Sequence, residues 1–310
     1  MVGKRDKRPS RVYWTIVFTM GNLMTTISVA LCTYNGERFL QQQLESLAGQ
    51  TWLPDELIIC DDASTDRSVE IAQSFVAAAP FAVHLIHNKE NLGYVKNFER
   101  AISHCSKDVI FLCDQDDVWL QSKLAEVIAV FEAESSVGLV LHNFCWIDER
   151  NNPYPGPIDT YGPRGLATEN LPEELRRNSV QIFMSPYPRA WCGCMMAFRR
   201  DFSRVILPIF PGKGHDDWIL KVLGPITHVR FLTNELVRYR MHASNTNRRD
   251  LDKRTLGYLV GRLLKKLKLV MRGHTKRGFY REVIQRVNNS GYPILYGDLL
   301  KSYRRWCTRP

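Results

Sequence analysis

The sequence predicts an α/β fold, a mostly parallel sheet with helices on both faces, and three observations predict it. Apolar runs of four to six residues alternate with segments of helical periodicity between residues 27 and 141, the pattern of βαβ units. The runs lack a polar face, as strands buried on both sides do. The first four each end in acidic, amide or small residues, at the carboxyl edge where such sheets bind ligands.

Taken in order, 27–32 is a strand because an unbroken apolar run meets the turn signal Asn35-Gly36, and 38–47 is a helix. Strands come next at 56–60, 83–86, 109–113 and 138–141, with helices at 68–76, 95–102 and 123–131 between them. After Asp148 the regularity lapses. Pro153, Pro155, Pro157 and Pro163 with Gly156 and Gly162 mark 151–164 as a loop. Beyond it, 191–198 and 229–232 read as strands, and 251–309 as helical and basic. The expected organisation is an N-terminal extension (1–25), one domain at 26–247 with halves at 26–148 and 149–247, and a basic helical tail at 248–310.

The 310 residues are 45% hydrophobic and 24% charged, which excludes a disordered chain and allows a sizeable core. The net charge of +10 is uneven: residues 248–310 hold 17 Lys+Arg against 4 Asp+Glu, and 12–247 is net acidic. The apolar stretch at 12–20 is shorter than the roughly 20 residues a bilayer span needs, so a soluble protein is expected. Residues 1–23 fit poorly with the regular pattern beyond them, and Met24 reads as the natural start. None of the eight cysteines forms a C-x₂-C pair, so buried, reduced thiols are expected.

The strand ends carry the chemistry. Asp114-Gln115-Asp116-Asp117 comes directly after a buried strand. Its carboxylates either converge on a hard cation, Mg²⁺ or Mn²⁺, or mark an acidic helix N-terminus. Thr33-Tyr34-Asn35-Gly36-Glu37, Asp61-Asp62-Ala63-Ser64-Thr65-Asp66 and Asn91-Leu92-Gly93 lie along the same edge.

Together with Phe111–Trp119, His215-Asp216-Asp217-Trp218 and Tyr239-Arg240-Met241-His242, these segments resemble the family 2 glycosyltransferases of GT-A fold, in their bacterial rhamnosyltransferase-like branch. The resemblance covers about 26–247. It implies that Thr33, Tyr34, Glu37, Asp62, Asn91, Asn97 and Asp114 bind the nucleotide. Asp62 would accept from a pyrimidine N3–H or form an Asx turn, and Asn97 would line the pocket or face solvent. Asp114 and Asp116 would hold the metal, with His242 as a further ligand or a structural residue, and Arg240 would meet a phosphate or the acidic cluster. An inverting transfer needs a carboxylate base. The resemblance gives that role to Asp216, with Asp217 as rival, or lets both cap their helix. Trp191, Gly193 and Trp218 would face the sugar or acceptor, although Gly193 can also mark a bulge.

The implied partners are a nucleoside-diphosphate sugar, dTDP-L-rhamnose first and a UDP-hexose second, and a lipid-linked or cell-surface saccharide acceptor. A nucleotidyltransferase would show a basic glycine-rich loop where this chain has Asn-Gly-Glu, and an acidic face argues against nucleic acid. A non-catalytic glycan-binding relative would keep the same fold. The run at 256–270, with Arg262, Lys265, Lys266 and Lys268 among Leu, Tyr and Val, is either a membrane-surface helix or a solvated one. The expected location is the cytoplasm, at the inner face of the membrane.

Overall fold

The computed structural model describes residues 24–154, 192–211, 213–245 and 276–308. The extension at 1–23, Trp191, most of the proline-rich stretch and the 256–270 run lie outside them.

Among the described residues one sheet holds eight strands: β1 (Ile27–Thr33), β2 (Glu56–Asp61), β3 (Ala82–His87), β4 (Val109–Asp114), β5 (Val118–Trp119), β6 (Val137–Ile147), β7 (Met196–Arg199) and β8 (His228–Arg240). Their order is β3-β2-β1-β4-β7-β6-β8-β5. The helices are α1 (Leu40–Ala48), α2 (Ser68–Ala78), α3 (Tyr94–His104), α4 (Lys123–Ala133), α5 (Ser203–Ile206), α6 (His215–Leu223), α7 (Lys276–Asn288) and α8 (Gly297–Thr308).

The first four strands are parallel neighbours in the order 3-2-1-4. β1 is wholly buried between β2 and β4, which is why it reads as a continuous apolar run. Register sets the strand ends level: Thr33 pairs with Asp61, Asp61 with His87, and Cys32 with Asp114. The order reverses at β1 and β4, and the crevice there is where a doubly wound sheet binds its ligand.

Beyond β4 the expectation of a mostly parallel sheet is corrected. β7 runs antiparallel to both β4 and β6, and β5 is antiparallel to β8. The sheet is mixed. β6 and β8 pair in parallel over most of their lengths, with register shifts around Asn143. Both outrun the sequence reading because polar residues, His142 and Asn143 in β6 and Thr233, Asn234 and Glu235 in β8, interrupt the apolar run while the backbone stays extended.

Three further corrections bear on the site. Asp117 does not open a helix: β5 and a turn separate it from α4. Residues 191–198 are not one strand, since Gly193–Met195 forms a 3-10 turn ahead of β7. The C-terminal helices are no separate tail. Phe279 of α7 is buried against Trp218 and Phe210, with ring centroids 5.8 and 5.6 Å apart. Arg286 donates to the Val205 and Leu207 carbonyls, and Leu299, Leu300 and Tyr303 of α8 are buried. Among the described residues no helix is long and apolar enough to cross a membrane. All eight cysteines are free thiols, six of them buried.

Candidate active site

The β1 and β4 ends are tied together before any ligand enters. Gln115, the residue between Asp114 and Asp116, accepts from Thr33 Oγ1 (2.7 Å) and from the Tyr34 N–H (2.8 Å), and donates to the Tyr34 carbonyl (3.1 Å). A Cβ on Gly36 would lie 2.2 Å from Gln115 Oε1, so glycine is required for this approach. Tyr34 stays about half exposed on the rim, at 47%. Glu37 turns to the neighbouring loop between β2 and α2, its carboxylate accepting from the Arg67 N–H at 3.1 Å.

Asp62 is 2% exposed. Its Oδ1 accepts from Asn88 Nδ2 and the Leu92 N–H, and its Oδ2 from the Gly93 N–H, each at 2.8 Å. Three charge-assisted bonds from one loop fix 88–93 over the end of β2. Asn91 completes that loop by donating to the Asp62 carbonyl (3.2 Å). Asn97 neither lines an open pocket nor faces solvent. It is buried, donates to the Cys60 carbonyl (2.8 Å) and accepts from Asn88 (2.9 Å), which pins α3 to β2.

The acidic centre lies at the end of β4. Ligand atoms of Asp114, Asp117 and Cys194 fall within 4.8 Å of one another. Asp117 Oδ1 accepts from the Arg240 N–H (3.1 Å), whereas its Oδ2 is sealed from solvent with no hydrogen bond. Burial, then the charges of Asp117, Asp116 and Asp216, push the Asp114 carboxyl well above the usual range. Burial and the Asp116 charge push Asp117 to about 7. Asp116, whose charge acts on both of them, contacts the segment just past β8: its Oδ2 lies 2.7 Å from His242 Nε2, while His242 Nδ1 meets Ser244 Oγ at 3.0 Å.

These donors fit a divalent cation. Crowded carboxylates and an orphaned buried carboxylate oxygen call for a positive partner, and carboxylate with imidazole suits Mn²⁺ and, through its oxygens, Mg²⁺. A thiol is a soft ligand and matches a hard ion poorly, so Cys194, whose pKa Cys192 and burial raise well above its ordinary value, is the weakest donor of the three. Arg240 is committed elsewhere. Fully buried, it donates to the Asp116 and Asp148 carbonyls and to Gln42 Oε1. It therefore braces the acidic loop from behind rather than presenting a phosphate ligand.

α6 brings the last carboxylates. Asp216 Oδ1 accepts from the Asp217 N–H (2.8 Å), and a Cβ on Gly214 would lie 2.2 Å from that oxygen. Burial, with the Asp217 charge, raises Asp216 to about 6. The two acids point apart: the field of Asp216 reaches Asp114, whereas that of Asp217 reaches Lys221, Tyr280 and Tyr303. His215 is buried, its ring stacked on Phe98 at 3.9 Å, and burial drives it down to about 3, so it is neutral. A Cβ on Gly193 would meet His215 Nε2 at 2.3 Å. Gly193 thus admits the His215 ring to the site wall. Trp218 does not face an acceptor: fully buried, it donates its indole N–H to the Ile206 carbonyl (2.7 Å).

Gln115, Cys194 and Lys123 belong to the site, although sequence patterning gives none of them a binding or catalytic role, and for Asp117 it leaves a cation and a helix N-terminus as alternatives. Gln115 and Asp117 lie inside the Asp-Gln-Asp-Asp run, which was the available signal. Cys194 and Lys123 reach the site only through tertiary contacts.

The family model described as glycosyl transferase family 2 matches residues 28–206. An uncharacterized glycosyltransferase of Nostoc sp., alr2836, is 29% identical over 227 residues, which are 71% of this chain and 66% of that protein. The dTDP-rhamnosyl transferase RfbG of Shigella flexneri is 32% identical over 175 residues, 55% of this chain and 54% of that protein. The matched segment thus spans just under two thirds of the first relative and about half of the second. Among solved structures, Staphylococcus aureus TarS in complex with UDP-GlcNAc aligns at a TM-score of 0.57 and 15% identity over 91% of this chain and 72% of that one. The mannosyltransferase PcManGT of Pyrobaculum calidifontis, in complex with GDP-Man and Mn²⁺, aligns at 0.51 and 19% identity over 93% and 84%. These two likenesses speak to the fold, and the mixed sheet with its acidic strand end agrees with a GT-A-like architecture. With more than half of its length matched by the family model, the chain belongs to glycosyl transferase family 2.

Proposed function

We propose that the protein is an inverting, metal-dependent glycosyltransferase that moves L-rhamnose from dTDP-L-rhamnose to a lipid-linked or cell-surface saccharide. A UDP-hexose is the next donor to test. One observation carries the reading: the charge of Asp216, from a separate part of the chain, helps raise the Asp114 carboxyl at the end of β4, beside the crevice where the strand order reverses.

Asp114, Asp116, Asp117 and His242 are the residues that would hold Mg²⁺ or Mn²⁺. When bound, that cation neutralises charge on the departing nucleoside diphosphate. The chain's own groups do the rest. Tyr34 and the 88–93 loop held by Asp62 flank the base, and Asp114 lies next to the ribose. Asp216 takes the proton from the acceptor hydroxyl as its oxygen bonds to C1 of the sugar and the C1–O bond to the diphosphate breaks. Two features favour Asp216 over Asp217: its field reaches the acidic centre, and its pKa of about 6 suits a base near neutral pH. Neutral His215, behind Gly193, leaves this wall uncharged.

Support for the donor is the identity shared with RfbG. The basic segment at 248–310, through its run at 256–270, would keep the enzyme beside an anionic leaflet, at about 1 kcal/mol per Lys or Arg; flotation with anionic liposomes at low salt tests this. The function is tested by offering dTDP- and UDP-sugars with Mn²⁺ and a lipid-linked acceptor and following both by mass spectrometry. Consumption of dTDP-rhamnose with acceptor gaining one deoxyhexose is expected. No donor consumed with any divalent metal overturns the reading in favour of a non-catalytic relative.

A further inference from the structure

Lys123 is the first residue of α4 and is fully buried. Local physics disfavours it there, since a cation at a helix N-terminus opposes the macrodipole and a buried ammonium is retained only where it is paired. Its partners come from other elements. Nζ donates to the Cys194 carbonyl at 2.8 Å and lies 3.3 Å from the centroid of the Trp119 ring, a close cation–π seat. Its charge acts on Asp114 and Asp117, and on buried His142 of β6. The Cys194 carbonyl belongs to the 3-10 turn that also carries Gly193, the residue against His215.

We propose that Lys123 is a positioning residue: seated on the Trp119 ring and bonded to the Cys194 carbonyl, it ties the 193–195 turn to β5 and so to the Asp114–Asp117 loop that leads into that strand. Its role in turnover rests on the glycosyltransferase reading; its role in holding the turn does not. Lys123 touches neither donor nor acceptor, and acts through the placement of Gly193, Cys194 and the two acids. Cys194 is the built-in reporter, a buried thiol on the tethered turn, with buried Cys60 and Cys105 in the other half of the sheet domain as controls.

The experiment compares wild type, Lys123→Met, which keeps the stem and removes the charge, and Lys123→Arg, which keeps the charge. Iodoacetamide labelling of each cysteine is read by peptide mass spectrometry, alongside steady-state kinetics. Expected for Lys123→Met is about tenfold faster labelling of Cys194, through local opening of the turn, with Cys60 and Cys105 unchanged. A fall in kcat of about 10- to 100-fold at near-constant donor KM is also expected, with partial recovery of both in Lys123→Arg. Wild-type labelling of Cys194 in Lys123→Met overturns the proposal. Labelling that rises equally at all three cysteines also overturns it, because it marks general destabilisation. If Lys123→Met does not fold, Trp119→Leu removes only the aromatic seat, and unchanged Cys194 labelling there overturns the proposal too. If no variant or wild type transfers sugar, the proposed transferase activity fails while the labelling still decides the role of Lys123.

Discussion

Asp116 and His242 stand 126 residues apart in sequence, yet Nε2 of the histidine lies 2.7 Å from Oδ2 of the aspartate. The contact forms because β8 runs alongside β5 and delivers its end to the loop between β4 and β5, where the Arg240 N–H binds Asp117 and the Arg240 side chain binds the Asp116 carbonyl. An imidazole nitrogen and a carboxylate oxygen thereby share one point at the crevice.

If that point helps hold the cation, His242→Ala raises the Mn²⁺ concentration for half-maximal turnover by about 10- to 100-fold. Turnover at saturating Mn²⁺ is expected to recover substantially. A metal titration of the variant checks this, and an unchanged half-saturation point limits His242 to a structural role.

Asp216 links activity to stability in opposite directions. As a base it must be ionised, so kcat/KM is expected to rise with pH through about 6 and then level off. Its folded pKa lies above the unfolded value of about 3.9, so the folded state holds the extra proton. The stability contribution is therefore greatest at low pH and is lost as pH rises through about 6. Asp117, at about 7, adds a loss of the same sign. Asp216→Asn should stabilise the metal-free protein at pH 8 by about 1–2 kcal/mol, allowing for partial solvent screening. It should also cut turnover about 10²- to 10⁴-fold. Urea unfolding and a pH–rate profile measure the two effects. Full turnover in this variant, with loss in Asp217→Asn, would transfer the role to Asp217.

Asp62→Ala removes three hydrogen bonds to one loop. The fold should lose about 2–4 kcal/mol of stability, since a bond to a charged group contributes about 1.5–3 and the freed donors regain water only in part. The donor KM should rise while acceptor KM holds. Calorimetry and two-substrate kinetics separate these effects.

Gly193→Ala is expected to lower kcat with little change in fold, because its Cβ would sit 2.3 Å from His215 Nε2 and shift the residue next to Asp216. Circular dichroism with single-turnover kinetics tests the pairing of intact structure with slowed chemistry.

Trp218→Ala is expected to cost about 3–5 kcal/mol of stability, as emptied aromatic sites do, because the indole is fully buried against Phe210, Phe279 and the Ile206 carbonyl. Trp218→Phe should retain the wild-type choice of acceptor, which an acceptor-facing tryptophan would not. An acceptor panel decides it.

Patterning along the chain was enough to specify the parallel half and the edge that bears the chemistry. The reason is local: strands buried on both faces must be continuously apolar, and each must end in residues able to turn, so β1, β2 and β4 could be read directly, while β3 lies half exposed at the sheet edge. The same locality marks Asp114 and Asp116 at the end of their strand, whereas Asp216 is singled out only by the resemblance of the His215–Trp218 segment. How the remaining elements meet emerged only from the folded arrangement. The mixed order β4-β7-β6-β8-β5 depends on pairing across long intervals, and the buried polar residues His142, Lys123 and Arg240 break the apolar pattern by which a core is recognised. For the same reason Asn97 and Trp218 proved to be interior residues, and the basic α7 and α8 proved to be packed on the domain through Phe279, Arg286 and Tyr303. A buried charge carries no periodic signature, since its partners come from distant chain segments.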